Sequence, residues 1–400
     1  MNGMNFFKTF IQNIKLVLTV VIILSGLTNC DKENESTINS YEYMPPLSYD
    51  DGIETSSLAS EGIEIDPIVD MMNYLNSNNS HTIHNILITK NNKLVFEEYF
   101  EGYKLDYNAE DLNGVLMDYT RTTDHPMQSV SKSVTSVIFG IAVKEGYFPD
   151  LNKKIIDYFP EYSDILTGEK ANVTIHHLLT MTSGIAWDET ILPIGSTQSD
   201  FTQLFASDDP IKFILSKPIL TTPGTTFSYS SGSTNVIGAI IEKATGVGFL
   251  DYANQKLFDP LRSEGGAWSA YSNGQIHASG GLYFKARELT KIGLLFLNDG
   301  MWEGNQIITS DWINASQYEH VTSTENFIPN TSYGYYWWLT NFIVNGTSYK
   351  CFFAAGWGDQ HMFIIPNLNM IVEFNSGNYQ GISGISPLDL MNNYILKAIE

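Results

Sequence analysis

The residues best suited to chemistry in this chain are a serine and a lysine three positions apart, Ser129 and Lys132. The apolar residues that follow recur at helical spacing, so the sequence predicts that both side chains lie on the first turn of one helix, which ends near Gly146. A serine hydroxyl becomes a strong nucleophile when a nearby base removes its proton. A lysine can be that base if it is neutral, and burial at a helix N-terminus lowers its pKa because both effects disfavour the ammonium. The pattern predicts a nucleophile and its base; read alone, it also fits a capped surface helix.

A tyrosine in the middle of the chain is the second candidate. Tyr229 lies shortly before a predicted helix over residues 236–244. A nearby lysine ammonium would favour the phenolate of this tyrosine, which could then pass a proton to a leaving group. Tyr271 is a rival of similar sequence context, although no helical pattern follows it. Read alone, Tyr229 is a buried loop residue.

The third candidate is a glycine-rich run directly before a strand, from Gly356 through Trp357 and Gly358 to Asp359. Glycines at such a place let the backbone approach a substrate closely, so Gly356, Trp357 and Gly358 are predicted substrate contacts. The amide of Asp359 could pair with the amide of Ser129 as an oxyanion hole, which stabilises the charge that develops in acyl transfer. The alternative interpretation is a plain β-bulge.

These three features, in this order, resemble the serine β-lactamase-like superfamily, and within it the class C β-lactamase-related esterases and the 6-aminohexanoate-dimer hydrolases. The resemblance covers about residues 80–400. It includes further stretches at 173–184, 280–281, 286–289, 333–338 and 356–366. It implies an α/β (α+β) fold, in which an antiparallel sheet is flanked by helices and a helical domain is inserted. It also implies that Ser129 forms an acyl-enzyme, that Lys132 activates it, and that Tyr229 shuttles the proton.

Two positions depart from the pattern of that superfamily. Ser231 stands where many relatives carry an asparagine, and its shorter side chain reaches less far as a substrate contact. Lactamases and penicillin-binding proteins carry Lys-Thr-Gly at the third motif, whereas the matching run here, Gly356 to Gly358, has no cation. The run from Lys243 to Gly246 ends the helix after Tyr229 and is not that motif. Without the cation, a carboxylated β-lactam loses a charge-assisted hydrogen bond of about 1.5–3 kcal/mol.

The expected function is therefore a serine hydrolase that acts on ester or amide bonds of small neutral substrates. One alternative is β-lactamase or D-amino-acid peptidase activity on cell-wall-like substrates. Another is a non-catalytic surface-binding lipoprotein, which the presence of all three motif residues disfavours. A Ser-His-Asp hydrolase is disfavoured because no Gly-x-Ser-x-Gly occurs, and His125, His176 and His177 are interpreted as structural. Trp187 and residues 188–200 are expected to line the pocket.

Composition and charge exclude some classes of partner. The chain has 22 Lys and Arg against 44 Asp and Glu, a formal net charge of −22, so nucleic-acid binding is not expected. Its two cysteines, Cys30 and Cys351, lie in different contexts and predict no disulfide, and Cys351 reads as a core residue. No cluster has the spacing of metal ligands, and no cofactor is expected.

The N-terminus is typical of an export signal. Lys8 and Lys15 precede an apolar run over residues 16–24, which is too short to span a bilayer permanently. The run ends on Leu27-Thr28-Asn29-Cys30, which resembles a lipobox, so residues 1–29 are a predicted lipoprotein signal peptide and Cys30 a predicted lipidation site. The expected location is exported and anchored to a membrane.

The polar residues 30–65 are predicted to form a flexible tether before a hydrolase domain over residues 66–400. Periodicity within that domain predicts a helix near 67–75, a hairpin of 83–89 and 94–99 about Asn91-Asn92, and a helical subdomain over about 147–275. It further predicts helices at 286–298 and 387–399 and strands at 335–339, 342–344, 349–354, 361–365 and 370–375. Strands near both ends with helices between them predict one antiparallel sheet built from both ends of the domain.

Overall fold

The computed structural model describes residues 40–78, 80–189, 196–325 and 328–399. Within these residues the strands are β1 (Glu54–Thr55), β2 (Ile83–Lys90), β3 (Lys93–Tyr99), β4 (Glu101–Leu105), β5 (Asn113–Asp118), β6 (His125–Pro126), β7 (Ala267–Trp268), β8 (Leu282–Phe284), β9 (Met301–Trp302), β10 (Asn305–Gln306), β11 (Val321–Thr322), β12 (Ser332–Tyr333), β13 (Trp338–Val344), β14 (Thr347–Gly356), β15 (Gln360–Ile365) and β16 (Met370–Ser376). The α-helices are α1 (Ile65–Asn76), α2 (Val130–Lys144), α3 (Ile175–Leu179), α4 (Asp200–Phe205), α5 (Pro210–Ser216), α6 (Ser231–Thr245), α7 (Phe249–Ala253), α8 (Ala286–Leu297), α9 (Ser310–Ser316) and α10 (Pro387–Leu390). Short 3-10 and π segments extend several of them, among them Asn254–Phe258 after α7 and Met391–Ile395 after α10.

One large sheet combines strands from both ends of the described chain. Its order is β1-β3-β2-β16-β15-β14-β13-β12-β11, and all neighbours are antiparallel except β1 and β3. Every residue of β16 is buried, so both faces of the sheet are covered at its centre. On one face α8 packs against β16, β15 and β2, and α2 packs against β14 and β15. The predicted α/β fold with an antiparallel sheet built from both ends is confirmed.

The hairpin of β2 and β3 turns at Asn91 and Asn92, whose φ angles are +52° and +66°. Asparagine tolerates this left-handed region better than most residues, which makes it suitable for a tight turn between two strands. The turn agrees with the sequence prediction.

Between α2 and β7 the described residues form short helices and loops, from the 3-10 segment Ile155–Asp157 to the π segment Asn254–Phe258. The longest of these helices, α6, packs against α2, α3 and α5. Residues 231–241 of α6 are all buried, so this helix attaches the helical region to α2.

The strand expected over residues 335–339 begins only at Trp338. Tyr336 adopts a φ of +64°, which a β-strand cannot accommodate, so the chain turns there before pairing. β13 then continues without a break to Val344 and absorbs the separately predicted strand at 342–344.

Residues 40–65 also differ from the flexible tether that the sequence predicts over residues 30–65. Ile53, Leu58 and Ile63 are buried, and β1 adds to the sheet beside β3. Tyr43 donates a hydrogen bond to the carbonyl of Val95 at 2.7 Å. Scattered apolar residues in a mostly polar segment are thus enough to bind it to the sheet edge.

The predicted signal peptide and Cys30 lie outside the described residues, and no described helix has the length and apolar character needed to cross a membrane.

Candidate active site

The site is built around the start of α2, where the chain approaches from β6. Met127 is fully buried, and its amide donates to the carbonyl of Leu282 at 2.8 Å. Gln128 then adopts a φ of +49°, a strained conformation for a residue with a Cβ. This sharp turn places Ser129 at the N-cap of α2, half-buried and facing a cavity.

Lys132 lies on the first turn of α2 beneath the serine. Its side chain is only 2% exposed, and its Nζ donates to Ser129 Oγ at 2.9 Å and to the carbonyl of Ser279 at 2.9 Å. Burial lowers the pKa of Lys132 to about 8, against a smaller opposing effect of the Glu189 carboxylate. The contact between serine and lysine agrees with the geometry that the sequence predicts.

A second layer of residues fixes the carbonyl that Lys132 contacts. Asn235, on α6, accepts from the amide of Ser279 at 3.3 Å and donates to its hydroxyl at 3.2 Å. Asn235 also donates to the hydroxyl of Tyr271 at 2.9 Å. Tyr271 therefore supports Asn235 and does not line the cavity that Ser129 faces, so the rival tyrosine has a structural position.

Tyr229 lies one residue before the N-cap of α6, Ser230, and its ring stacks on Trp338 with centroids 5.7 Å apart. The Nζ of Lys132 lies 4.8 Å from the centroid of the Tyr229 ring. Burial, then the Glu189 carboxylate, raises the pKa of Tyr229 well above its ordinary value, and a hydrogen bond with Ser129 opposes this in part. The expectation of a favoured phenolate is therefore wrong: Tyr229 is a neutral phenol, because burial penalises its anion.

Of the predicted pocket residues Trp187 and 188–200, residues 190–195 lie outside the described residues, and among the others only Glu189 lines the cavity. Trp187 does not line it and instead supports Glu189. The Glu189 carboxylate accepts from Trp187 Nε1 at 2.5 Å, from the Ser231 amide at 3.1 Å and from Ser231 Oγ at 3.0 Å. The loop that carries it follows α3, which Thr174 caps through a reciprocal bond with His177. Ser231 lines the cavity as expected, but its hydroxyl is already donated to Glu189. No periodicity or motif distinguishes Glu189 from the other residues of the loop that the sequence places at the pocket.

The third motif forms the turn between β14 and β15. A Cβ on Gly356 would lie 2.6 Å from the carbonyl oxygen of Met127, so only glycine lets β14 approach the nucleophile this closely. The buried Gln360 side chain donates to the carbonyls of Trp357 at 3.2 Å and Gly358 at 2.9 Å. Because the peptide bond is trans, the amide that follows each of these carbonyls points away from Gln360. Within the described chain, the amides of Ser129 and Asp359 donate to no backbone carbonyl.

A cavity of about 500 Å³ joins these elements. It brings together the predicted residues Ser129, Tyr229, Ser231, Gly356, Trp357, Gly358 and Asp359, while Lys132 lies beneath Ser129. Lys243 is remote from it and pairs with Glu161 at the surface. The cavity also has walls that the sequence did not indicate, formed by Tyr107, Trp338 and Tyr379.

The histidines singled out in the sequence are structural where the fold places them. His125 Nε2 lies 2.8 Å from Nδ1 of His84, and His176 Nδ1 lies 3.0 Å from the hydroxyl of Tyr335. Burial lowers the pKa of His125 to about 4. Cys351 is fully buried and unpaired, in agreement with its expected core position. Among the described residues no group of His, Cys, Asp and Glu side chains is arranged to hold a metal ion.

Comparison with known proteins gives one family. The profile of the beta-lactamase family matches residues 85–376. The 6-aminohexanoate-dimer hydrolase of Paenarthrobacter ureafaciens is 26% identical over 231 residues, which cover 54% of this chain and 58% of that protein. A penicillin-binding protein from Bacillus halodurans superposes with a TM-score of 0.59 at 19% identity, covering 82% of this chain and 97% of its own. A family VIII carboxylesterase superposes with a TM-score of 0.59 at 14% identity, covering 79% and 93%. At these identities the two structures share the fold.

Proposed function

The chain belongs to the beta-lactamase family, and we propose that it is a serine hydrolase that cleaves ester or amide bonds of small substrates through an acyl-enzyme on Ser129. The observation that carries this proposal is the 2.9 Å contact between Lys132 Nζ and Ser129 Oγ, made by a lysine whose pKa burial lowers to about 8. A lysine with an ordinary pKa of about 10.4 is neutral in a far smaller fraction of molecules at neutral pH, so the lowered pKa makes Lys132 a more available base.

In the proposed acylation, neutral Lys132 takes the proton of Ser129 as Oγ attacks the substrate carbonyl. The amides of Ser129 and Asp359 stabilise the resulting oxyanion. Tyr229, a neutral phenol in this site, donates its proton to the departing alkoxide or amine, and the Lys132 ammonium replaces that proton. Water then attacks the acyl-enzyme with the same groups acting in reverse, which releases the acid and restores Ser129.

The residues that line the cavity favour the binding of neutral acyl groups over carboxylated ones. The turn that stands in place of a lysine-containing motif lines the cavity with Trp357 and Asp359 and with no cationic residue. A substrate carboxylate would meet a negative charge there instead of an ammonium, which is unfavourable in a partly desolvated site. We therefore place esterase or amidase activity before β-lactamase or D-amino-acid peptidase activity.

Covalent labelling tests the nucleophile. A fluorophosphonate probe followed by peptide mapping should label Ser129, and Ser129→Ala should lose both labelling and turnover. Labelling of a different serine in an active preparation would exclude this assignment.

A substrate panel tests the reaction. Short p-nitrophenyl esters and the corresponding p-nitroanilides should be hydrolysed, and nitrocefin should be a poor substrate. Nitrocefin turnover faster than that of any neutral ester would support the lactamase alternative, and labelling without turnover of any substrate would support a binding protein.

A further inference from the structure

The cavity beside Ser129 is strongly biased toward negative charge. Two carboxylates line it, Glu189 and Asp359, and no lysine or arginine is among its described lining residues. The amine of Lys132, which lies beneath Ser129, is directed to Ser129 Oγ and to the carbonyl of Ser279. His361 also lines the cavity; burial lowers its pKa, and Asp359 opposes this in part.

Both carboxylates are held in fixed positions. Glu189 is oriented by Trp187 and Ser231, and Asp359 accepts from Asn378 Nδ2 at 2.6 Å. They come from different parts of the fold, one from the loop after α3 and the other from the turn between β14 and β15. A carboxylate oxygen has two lone pairs, so each of these groups can accept more than the bonds it makes here.

Aromatic rings cover the same wall as Asp359. Trp357 lies 5.0 Å from Tyr379 and 6.3 Å from Tyr107, measured between ring centroids. Tyr379 is only 5% exposed, and its hydroxyl makes no hydrogen bond to any part of the chain that the structure describes. The faces of such rings carry negative potential and attract cations.

Carboxylates and aromatic faces favour the same kind of ligand. Rings alone would suit any apolar group, and two fixed carboxylates would disfavour an apolar group because its binding displaces their water. A positively charged group satisfies both features at once. We infer that the preferred substrates are esters or amides that carry a cationic group, such as a quaternary ammonium, a few carbons from the scissile carbonyl. This inference rests on the proposed hydrolase function and names its substrate class.

Three p-nitrophenyl esters that differ in charge test the inference. They are 4-(trimethylammonio)butanoate, its neutral carbon isostere 5,5-dimethylhexanoate, and the adipate monoester, which carries a carboxylate. The cationic ester should have a kcat/KM on the order of tenfold above that of its isostere. The adipate should be the poorest, and 0.5 M salt should reduce the ratio of cationic to neutral ester.

Asp359→Asn and Glu189→Gln should each reduce that ratio, whatever they do to the rate on the neutral ester. Asp164→Asn is the matched control, since it removes an exposed carboxylate that does not line the cavity. A fall in the ratio in either cavity variant, with no fall in the control, supports the inference.

A ratio of one or less in the unmodified protein, or a ratio unchanged in both cavity variants, would overturn the inference. It would leave the hydrolase function intact as long as the neutral ester is turned over. Failure to hydrolyse all three esters, with Ser129 unlabelled by the fluorophosphonate, would overturn the proposed function and this inference together.

Discussion

Lys132 is both in contact with the nucleophile and buried away from water. It contacts Ser129 Oγ at 2.9 Å, and its side chain is 98% removed from solvent, so its ammonium is held where charge is costly. The carbonyl of Ser279 and the ring of Tyr229 partly compensate that cost. The same surroundings that disfavour the charge therefore also fix the direction of the amine.

The proposed proton transfer makes a direct prediction at this scale. Lys132→Met and Tyr229→Phe should each lower kcat on a neutral ester by about 10²–10⁴, the range for a lost general acid or base. Tyr271→Phe should lose less, because Tyr271 acts only through Asn235. Steady-state kinetics with thermal melting as a folding control checks this. Full activity of Tyr229→Phe together with an inactive Tyr271→Phe would show that the two tyrosines have been assigned the wrong way round.

A second prediction concerns pH. A lysine base is active when deprotonated, so kcat/KM should rise with pH around the Lys132 pKa of about 8. Glu189 raises that pKa, so Glu189→Gln should lower it and move the rising limb to lower pH. The pH dependence of kcat/KM for the unmodified protein, Glu189→Gln and the exposed control Asp164→Asn measures the shift. A rising limb that stays in place or moves upward in Glu189→Gln would contradict the assignment of Lys132 as the titrating base.

At the scale of elements, the end of β14 and the start of α2 have to approach within contact distance. The strained φ of Gln128 turns the chain into α2, and Gly356 leaves room for the backbone of Met127. Gln360, fully buried, ties the turn to the carbonyl of Ser376 at 2.6 Å. The nucleophile and the turn amides are therefore positioned by backbone contacts between two elements far apart in sequence.

Gly356→Ala tests this contact. The new Cβ would lie 2.6 Å from the Met127 carbonyl oxygen, so β14 and the loop before Ser129 must separate. We expect kcat to fall by roughly 10-fold to 100-fold, since displacements near 1 Å at an active site can cost that much. Gly248→Ala is the control, because its nearest contact would be 3.8 Å and its φ is −55°. Comparing kcat of the two variants tests this. Equal activity of Gly356→Ala and Gly248→Ala would show that the close approach of Gly356 to Met127 is not needed.

At the scale of the whole molecule, the segment before α1 is joined to the body by a buried ionic cluster. Arg287, on α8, donates to Glu97 through Nε at 2.8 Å and to Asp51 at 2.9 Å. It also donates to the carbonyl of Leu47 at 2.8 Å. The Arg287 side chain is 2% exposed and that of Glu97 is 8% exposed, so this cluster links three parts of the chain in a region with little solvent.

Arg287→Met should therefore destabilise the fold. It would leave the Glu97 carboxylate buried without its cation, which typically costs about 3–5 kcal/mol of unfolding free energy. Arg262→Met is the matched control, since Arg262 pairs with Asp50 and Glu303 in solvent and should matter little. Denaturant unfolding of both variants measures the difference. A loss in Arg262→Met as large as that in Arg287→Met would show that burial does not decide the value of these ion pairs.

The last prediction concerns the N-terminus. We propose that Cys30 carries a lipid and that the mature protein is anchored to a membrane through it, because an apolar run ends at a lipobox-like sequence. Mass spectrometry of the purified mature protein should show a diacylglyceryl group on Cys30, and Cys30→Ser should move the protein out of the membrane fraction. A mature chain that starts elsewhere and carries no lipid would contradict the proposal.

The sequence by itself determined the parts of this protein that depend on local spacing. Ser129 and Lys132 share a helical turn because residues three positions apart are neighbours on a helix surface, whatever surrounds them. The hairpin at Asn91 and Asn92 and the helix over 286–297 follow from turn chemistry and periodicity in the same way. The glycine run from Gly356 to Gly358 was likewise predicted to let the backbone approach a substrate closely, because such runs before a strand leave room for it.

Only the tertiary structure decided which distant groups set the chemistry of those residues. Lys132 contacts the carbonyl of Ser279, which is 147 positions away in the sequence, and Glu189 contacts Ser231, 42 positions away. Local sequence periodicity cannot predict contacts over such separations. The pKa of Tyr229 is raised, opposite to the prediction, for the same reason. Its burial and the nearby Glu189 carboxylate both result from the tertiary structure. Residues 40–65 pack on the sheet because a few of their apolar side chains are buried and β1 pairs with β3. That sheet edge exists only when β2 and β3 are paired.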